Sequence, residues 1–250
     1  MAIWLQAGLW GLFAGGALVL GALIAWVVRV PRHVVATVMA FGAGVLISAL
    51  AFDLIDEAES TGGLLPTLAG FLGGASVYVA ANVFLARRGA RHRKRSGDQQ
   101  PSEDEQSGSG AAIAIGALLD GVPESIVLGL TLLTGQGIGV PVLVAVFISN
   151  LPEGLASAAG MKQAGRGATY VFGVWTAIAV ASGLAGALGV LLLEGASPAL
   201  IAVITAVAAG AILAMVADTM IPEAFEQTHL YVGLVTTIGF ALSFAVERVG

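Results

Sequence analysis

Four carboxylates stand where a polypeptide rarely puts them: Asp120, Glu124, Glu153 and Asp218 each lie deep within a long apolar stretch. An acid near the middle of a bilayer costs roughly 2.5–3.5 kcal/mol on insertion scales, so the four together cost on the order of 10 kcal/mol. The uncharged stretches around them contain no Lys or Arg to pair with them. An unneutralised carboxylate cluster calls for bound protons or a bound cation. The setting of these acids recurs. One stretch carries Asp120-Gly-Val-Pro123-Glu124-Ser125 and the next carries Ser149-Asn150-Leu-Pro152-Glu153-Gly154. In each, the proline has no N–H and its ring strikes the residue four back, which frees the carbonyls of Leu119 and Ile148 and kinks a helix. Asp120 and Glu124 are four apart, and Ser149 and Asn150 precede Glu153 by four and three, so each set falls on one helix face. Two such helices joined by a short turn run antiparallel, and their oxygen-rich faces can meet at mid-span. Irregular backbone at that depth is tolerated only where it is buried in protein or lines a cavity. Oxygen ligands of this kind suit a divalent cation, with preference toward Mn²⁺, Fe²⁺, Mg²⁺ or Ca²⁺, while Zn²⁺ also accepts Asp and Glu.

The elements that must position these groups follow from composition. Of 250 residues, 57% are apolar before 35 Gly are counted, and only 11% are charged, against about 25% in soluble domains. Mean hydropathy is +0.92. This excludes a soluble enzyme or a nucleic-acid binder. The absence of Cys excludes disulfides and thiolate metal sites. No phosphate-binding glycine loop and no His-Glu-x-x-His motif is present, and His33, His92 and His229 fall at helix ends or in a loop. An enzyme is therefore not expected, nor a cofactor; a divalent ion would be cargo.

Charges punctuate the chain into stretches of about 20 residues or more, the length of a membrane span. The stretch from 125 to 152 is broken by Thr134-Gly-Gln-Gly-Ile-Gly139, a turn composition. The predicted architecture is all-α and polytopic, with eight transmembrane helices over about 5–28, 34–56, 62–86, 111–133, 139–161, 168–192, 198–222 and 230–247. Period-2 alternation is absent, so helices are preferred over a barrel. If the N-terminus lies outside, Arg29, Arg32, Arg87, Arg88, Arg91, Arg93, Lys94, Arg95, Lys162 and Arg166 all fall in inner loops and only Arg248 lies outside. The positive-inside rule thus places both termini outside a cell inner membrane, in contact with lipid. The stretch 87–110 opens with a basic run and continues through Gln, Ser, Asp and Glu, and reads as a disordered, solvated cytoplasmic loop. Helix two ends Asp53-Leu-Ile-Asp56-Glu57-Ala58 and helix seven ends Asp218-Thr-Met-Ile221-Pro-Glu223-Ala224. As those helices run in opposite directions, this echo points to an inverted repeat of helices 1–3 and 6–8 around kinked helices 4 and 5, a transporter habit.

On these residues the chain resembles the ZIP (ZRT/IRT-like) family of divalent metal transporters. Family members usually read His-Asn-x-Pro-Glu-Gly on helix four and His-Glu/Asp-x-Pro-Glu-Gly on helix five; Val122-Pro123-Glu124 and Leu151-Pro152-Glu153-Gly154 match the core of each. Asp120 and Ser149 stand in place of the two His, Gly121 in place of the Asn and Asn150 in place of the acid. Asp53 stands where members often carry His. The resemblance implies a binuclear metal centre formed by Asp120, Glu124, Ser149, Asn150 and Glu153, with Asp218 as a helix-seven ligand and Asp53 as an outer attraction point. It implies transport of Zn²⁺, Mn²⁺, Fe²⁺, Cd²⁺ or a similar ion. It also implies a homodimer in which helices one, four, five and six slide against a scaffold of two, three, seven and eight. The same buried acids could instead serve a proton- or cation-conducting channel or exchanger.

Overall fold

The computed structural model describes residues 1–94, 100–102, 104–133 and 139–249, so Arg95 and most of the Thr134–Gly139 turn lie outside the described residues. Among the described residues, eight helices are long and apolar enough to cross a membrane: α1 (Ile3–Val27), α2 (Arg32–Gly62), α3 (Leu64–Ala90), α4 (Ser109–Thr131), α5 (Val140–Gln163), α6 (Ala168–Leu193), α7 (Pro198–Glu226) and α8 (Tyr231–Arg248). No strand occurs among the described residues. Local chemistry sets several boundaries. Gly63, with φ of 80°, separates α2 from α3 in a left-handed conformation that glycine adopts without strain. Ser197 caps α7 by accepting from the Leu200 N–H at 3.3 Å, with Pro198 just inside the helix.

The helices pack in two groups. In the first, α1 lies against α5 and α6, and α6 against α4. In the second, α3 lies against α7, and α8 against α2. The groups meet where α2 crosses α5, where the end of α3 lies against α4, and where α4 crosses α7. Alternate spans run in alternate directions. Ala14 meets Asn150, Leu18 meets Gly154 and Trp26 meets Lys162, so α1 and α5 are parallel. Ala7 meets Gly186 and Gly15 meets Ala179, so α1 and α6 are antiparallel. A core of Met39, Leu46, Leu128, Val146 and Met215 fills the junction of the groups, and a second core of Leu18, Ile113, Met161 and Trp175 fills the first group.

Helices α2 and α7 share one construction. Each has 18 residues of α-helix (Arg32–Ala49; Pro198–Met215), then five of π-helix (Leu50–Leu54; Val216–Met220), then eight of α-helix (Ile55–Gly62; Ile221–Thr228). The echo in the sequence falls into register: Ile55, Glu57 and Ala58 occupy the same places after the π turn as Ile221, Glu223 and Ala224. Asp53 and Asp218 do not, being fourth and third in their π turns. Packing repeats as well. A Cβ at Gly44 of α2 would run into the Thr236 carbonyl of α8, and a Cβ at Gly210 of α7 would run into the Phe71 carbonyl of α3. Small residues let these helix pairs approach closely in lipid, where packing rather than hydrophobic expulsion drives association.

Gly210→Leu is expected to destabilise the fold by about 1–3 kcal/mol or more through overpacking. Gly73→Leu, where nothing lies within 4 Å, is expected to be neutral. Thermal unfolding in detergent, read by loss of the monodisperse size-exclusion peak, distinguishes the two.

Candidate functional site

Helices α4 and α5 run unbroken through Pro123 and Pro152 and carry the two acidic motifs at mid-length. Asp120, Glu124 and Glu153 are 3%, 1% and 4% exposed, and Ser149 and Asn150 are buried beside them. The polar neighbours turn partly to backbone. Ser125 donates to the Gly121 carbonyl at 2.8 Å, Ser149 to the Val146 carbonyl at 3.0 Å, and Asn150 to the Ala14 carbonyl of α1 at 3.1 Å. Gly154 is the close-approach point of α5 on α1: a Cβ there would collide with the Leu18 carbonyl, and one at Gly21 with the Leu151 carbonyl. The motif glycine thereby holds α1 against the acid-bearing turn.

Cations do reach these acids, and they come from the inter-helix stretch. α3 ends in a π-helical turn, Ala86–Ala90, in which Gly89 adopts φ of 102°. The chain then turns back into the bundle and buries Arg93 and Lys94 to 2% and 5% exposure. Arg93 Nε and Nη2 donate to the two oxygens of Asp120 at 3.0 and 2.9 Å, a bidentate pair. Arg93 Nη2 also donates to the Tyr78 hydroxyl at 2.9 Å, Nη1 donates to Asn82 Oδ1 at 2.8 Å, and Tyr78 itself donates to Asp120 at 2.6 Å. Burial works against the guanidinium charge, but Asp120 outweighs it and holds the Arg93 pKa above its usual value. Lys94 Nζ sits between the two helices, 3.3 Å from Asp120 and 2.8 Å from Glu153. Gln100 fastens this strap, donating to the carbonyls of Arg93 at 3.1 Å and Ser157 at 3.2 Å. Arg166 holds it further, donating to the Pro101 carbonyl at 3.0 Å and to Ser109 at 2.9 Å. On the return to α4, Ser102 and Glu105 form a reciprocal box, and the Ser102 N–H keeps the exposed Glu105 carboxyl below its usual pKa.

Two expectations are corrected here. The deep acids are not without Lys or Arg, and the described part of 87–110 is not simply a solvated linker. The cause is long-range: the strap returns into the bundle and sets Arg93 and Lys94 against Asp120 and Glu153, whose charge is costly to bury unpaired. The site residues named from sequence do not all converge. Asp120, Asn150 and Glu153 line one cavity of about 10 Å³, the scale of a single water, together with Arg93, Lys94, Ser157 and Trp175. Glu124 lies beside it and interacts electrostatically with Glu153, Lys94 and Asp120. Asp53 is only partly buried and belongs with Glu247 and Glu57 instead. Asp218 is exposed on its π turn. Among the described residues, no three His, Asp or Glu side chains gather closely enough to hold a metal ion. Helices α4 and α5 touch only sparsely, and Lys94 stands in the space between them. Two oxygens, Glu124 Oε1 and Glu153 Oε1, are buried with no hydrogen-bond partner among the described residues.

Sequence reasoning missed Arg93, Lys94 and Tyr78. One signal was available: Tyr78 and Asn82 are four apart on the apolar α3, which puts two polar groups on one face. Nothing in the sequence distinguishes Arg93 and Lys94 from the other basic residues around them. Arg93→Ala, measured without added divalent ion, should lower stability by about 3–5 kcal/mol, because it strands a buried Asp120. Replacing both partners, Arg93→Met with Asp120→Leu, should recover most of that loss in thermal unfolding.

A search of curated proteins returned no match to this chain. The family model for ZIP zinc transporters matches residues 85–247, more than half of the chain, and spans the strap, both Pro-Glu motifs and the π turn of α7. With eight apolar helices and two buried Pro-Glu turns, the chain belongs to the ZIP zinc transporter family, a family of membrane proteins that move divalent metal ions.

Proposed function

We propose that this chain carries a divalent cation across the membrane through the space between α4 and α5, with Glu124 and Glu153 as primary ligands. The observation that carries the reading is the pair of buried carboxylate oxygens, Glu124 Oε1 and Glu153 Oε1, that no donor among the described residues satisfies. Buried unsatisfied polar atoms are uncommon and call for a partner such as an ion. Asp120, Asn150 and Ser149 flank these ligands. Asp53, near Glu57 and Glu247, would draw cations to one mouth of the pathway, and Asp218 would act away from the centre, on the exposed π turn of α7. A donor set of oxygen only, with no His among the seven, favours Mn²⁺ or Fe²⁺ while admitting Zn²⁺ and Cd²⁺. The distribution of Lys and Arg supports termini outside an inner membrane and the strap on the cytoplasmic side. Resemblance to the family supports a homodimer.

Uptake of Zn²⁺, Mn²⁺, Fe²⁺, Cd²⁺ and Mg²⁺ into proteoliposomes, run in parallel, is expected for at least one ion. It should fall more than roughly tenfold in Glu124→Ala and in Glu153→Ala, as for loss of metal-site groups generally. Proton flux with no divalent requirement would assign the acids to a relay instead. Protons and metal compete for the same carboxylate oxygens, so apparent affinity should weaken as pH falls from about 7.5 to about 5.5. A flat profile in the uptake assay would count against carboxylate ligation.

A further inference from the structure

Arg93 and Lys94 enter the same acidic site but are held very differently. Arg93 grips both oxygens of Asp120 and is bonded to Tyr78 and Asn82. Its stem lies in a notch left by Gly116, where a Cβ would come within 2.6 Å of Arg93 Cδ. Lys94 has two ion pairs, to Asp120 at 3.3 Å and Glu153 at 2.8 Å, on a long flexible stem. The strap that bears both leaves α3 through Gly89 at φ of 102°, a joint that tolerates rearrangement.

Resting on the transport reading above, we propose that Arg93 is a permanent counter-cation that removes Asp120 from the ligand set, and that Lys94 is an exchangeable occupant which one divalent ion displaces from Glu153. Charge arithmetic supports this division. Asp120, Glu124 and Glu153 carry three negative charges when ionised, and Arg93 reduces the sum to two. One divalent ion in place of Lys94 brings it to zero. An ion added with Lys94 still in place leaves the buried site at plus one, and two ions with Lys94 gone leave it at plus two; uncompensated charge at that depth is costly. The ammonium of Lys94 thus stands in for cargo, and a site that other chemistry could give to a second ion is given over to Arg93. Affinity for the ion is reduced by the fraction of time Lys94 holds the site.

The chain contains two lysines, Lys94 buried and Lys162 exposed, so amine acylation followed by mass spectrometry reports the exchange with an internal reference. On the full-length protein without divalent ions, Lys94 should be acylated about tenfold or more slower than Lys162. Saturating Mn²⁺ or Zn²⁺ should raise the Lys94 rate severalfold and leave Lys162 unchanged. Equilibrium dialysis should give one ion per chain in the wild type. Lys94→Met should tighten binding about fivefold or more by removing the competitor. Fast apo acylation of Lys94, or an unchanged Lys94 rate while an ion demonstrably binds, overturns the exchange and leaves the transport reading standing. Two ions per wild-type chain overturn the role given to Arg93. If neither Mn²⁺ nor Zn²⁺ binds or is taken up, the transport reading fails and the exchange with it.

Discussion

The need to neutralise carboxylates buried at mid-membrane governs this structure. Asp120, Glu124 and Glu153 sit at the prolines of α4 and α5, and no arrangement of apolar helices alone can hold them there. The protein answers by bending the chain after α3 back into the bundle. Every unusual local feature nearby serves that detour: the π turn at the end of α3, the left-handed Gly89, the notch at Gly116, and the anchoring of the strap by Gln100 and Arg166. The partners are finely graded. Asp120 is saturated by Arg93 and Tyr78, Glu153 is half satisfied by Lys94, and Glu124 keeps an oxygen without a donor among the described residues. This gradation separates a fixed part of the site from a part free to trade partners.

The helix packing complements that division. α1 and α5 are locked by Gly21 and Gly154, and α2 with α8 and α3 with α7 by glycines whose replacement would drive a side chain into a neighbouring carbonyl. Contacts between the two groups include larger side chains such as Met39, Leu128 and Met215, and a close approach of Gly42 in α2 to the Ser149 backbone in α5. The acids lie to one side of that junction: the cavity of Asp120, Asn150 and Glu153 is lined from α1, α4, α5 and α6 of the first group, with Arg93 and Lys94 of the strap.

Much of the fold was legible in the sequence because a bilayer imposes a simple length and composition rule: the eight spans stand out between charges, and the Pro-Glu motifs mark α4 and α5. The echo around Ile55-Asp-Glu57-Ala58 and Ile221-Pro-Glu223-Ala224 was also readable, and the π turns explain why it lies where it does. Legibility failed where long-range electrostatics overrode local composition. Arg93 and Lys94 look like neighbours in a hydrophilic run, and only the three-dimensional return of the strap puts them beside Asp120, 27 and 26 residues away. Asp218 failed for a different reason. Its depth in an apolar stretch was real, but its direction depends on the extra residue that a π turn inserts, and hydropathy carries no trace of that residue.

The mismatch between the two π turns breaks the electrical symmetry of the two halves. Two halves built to the same 18-5-8 plan would present like charges to both faces of the membrane if their acids kept step. Asp53 and Asp218 are displaced by one position, which turns one acid about a quarter of the way around its helix axis relative to the other. One half therefore turns its carboxylate partly inward, toward Glu57 and Glu247, while the other turns it out of the bundle. The two pseudo-equivalent halves thereby differ in where their charge lies: Asp53 stands with Glu57 and Glu247, and Asp218 lies exposed.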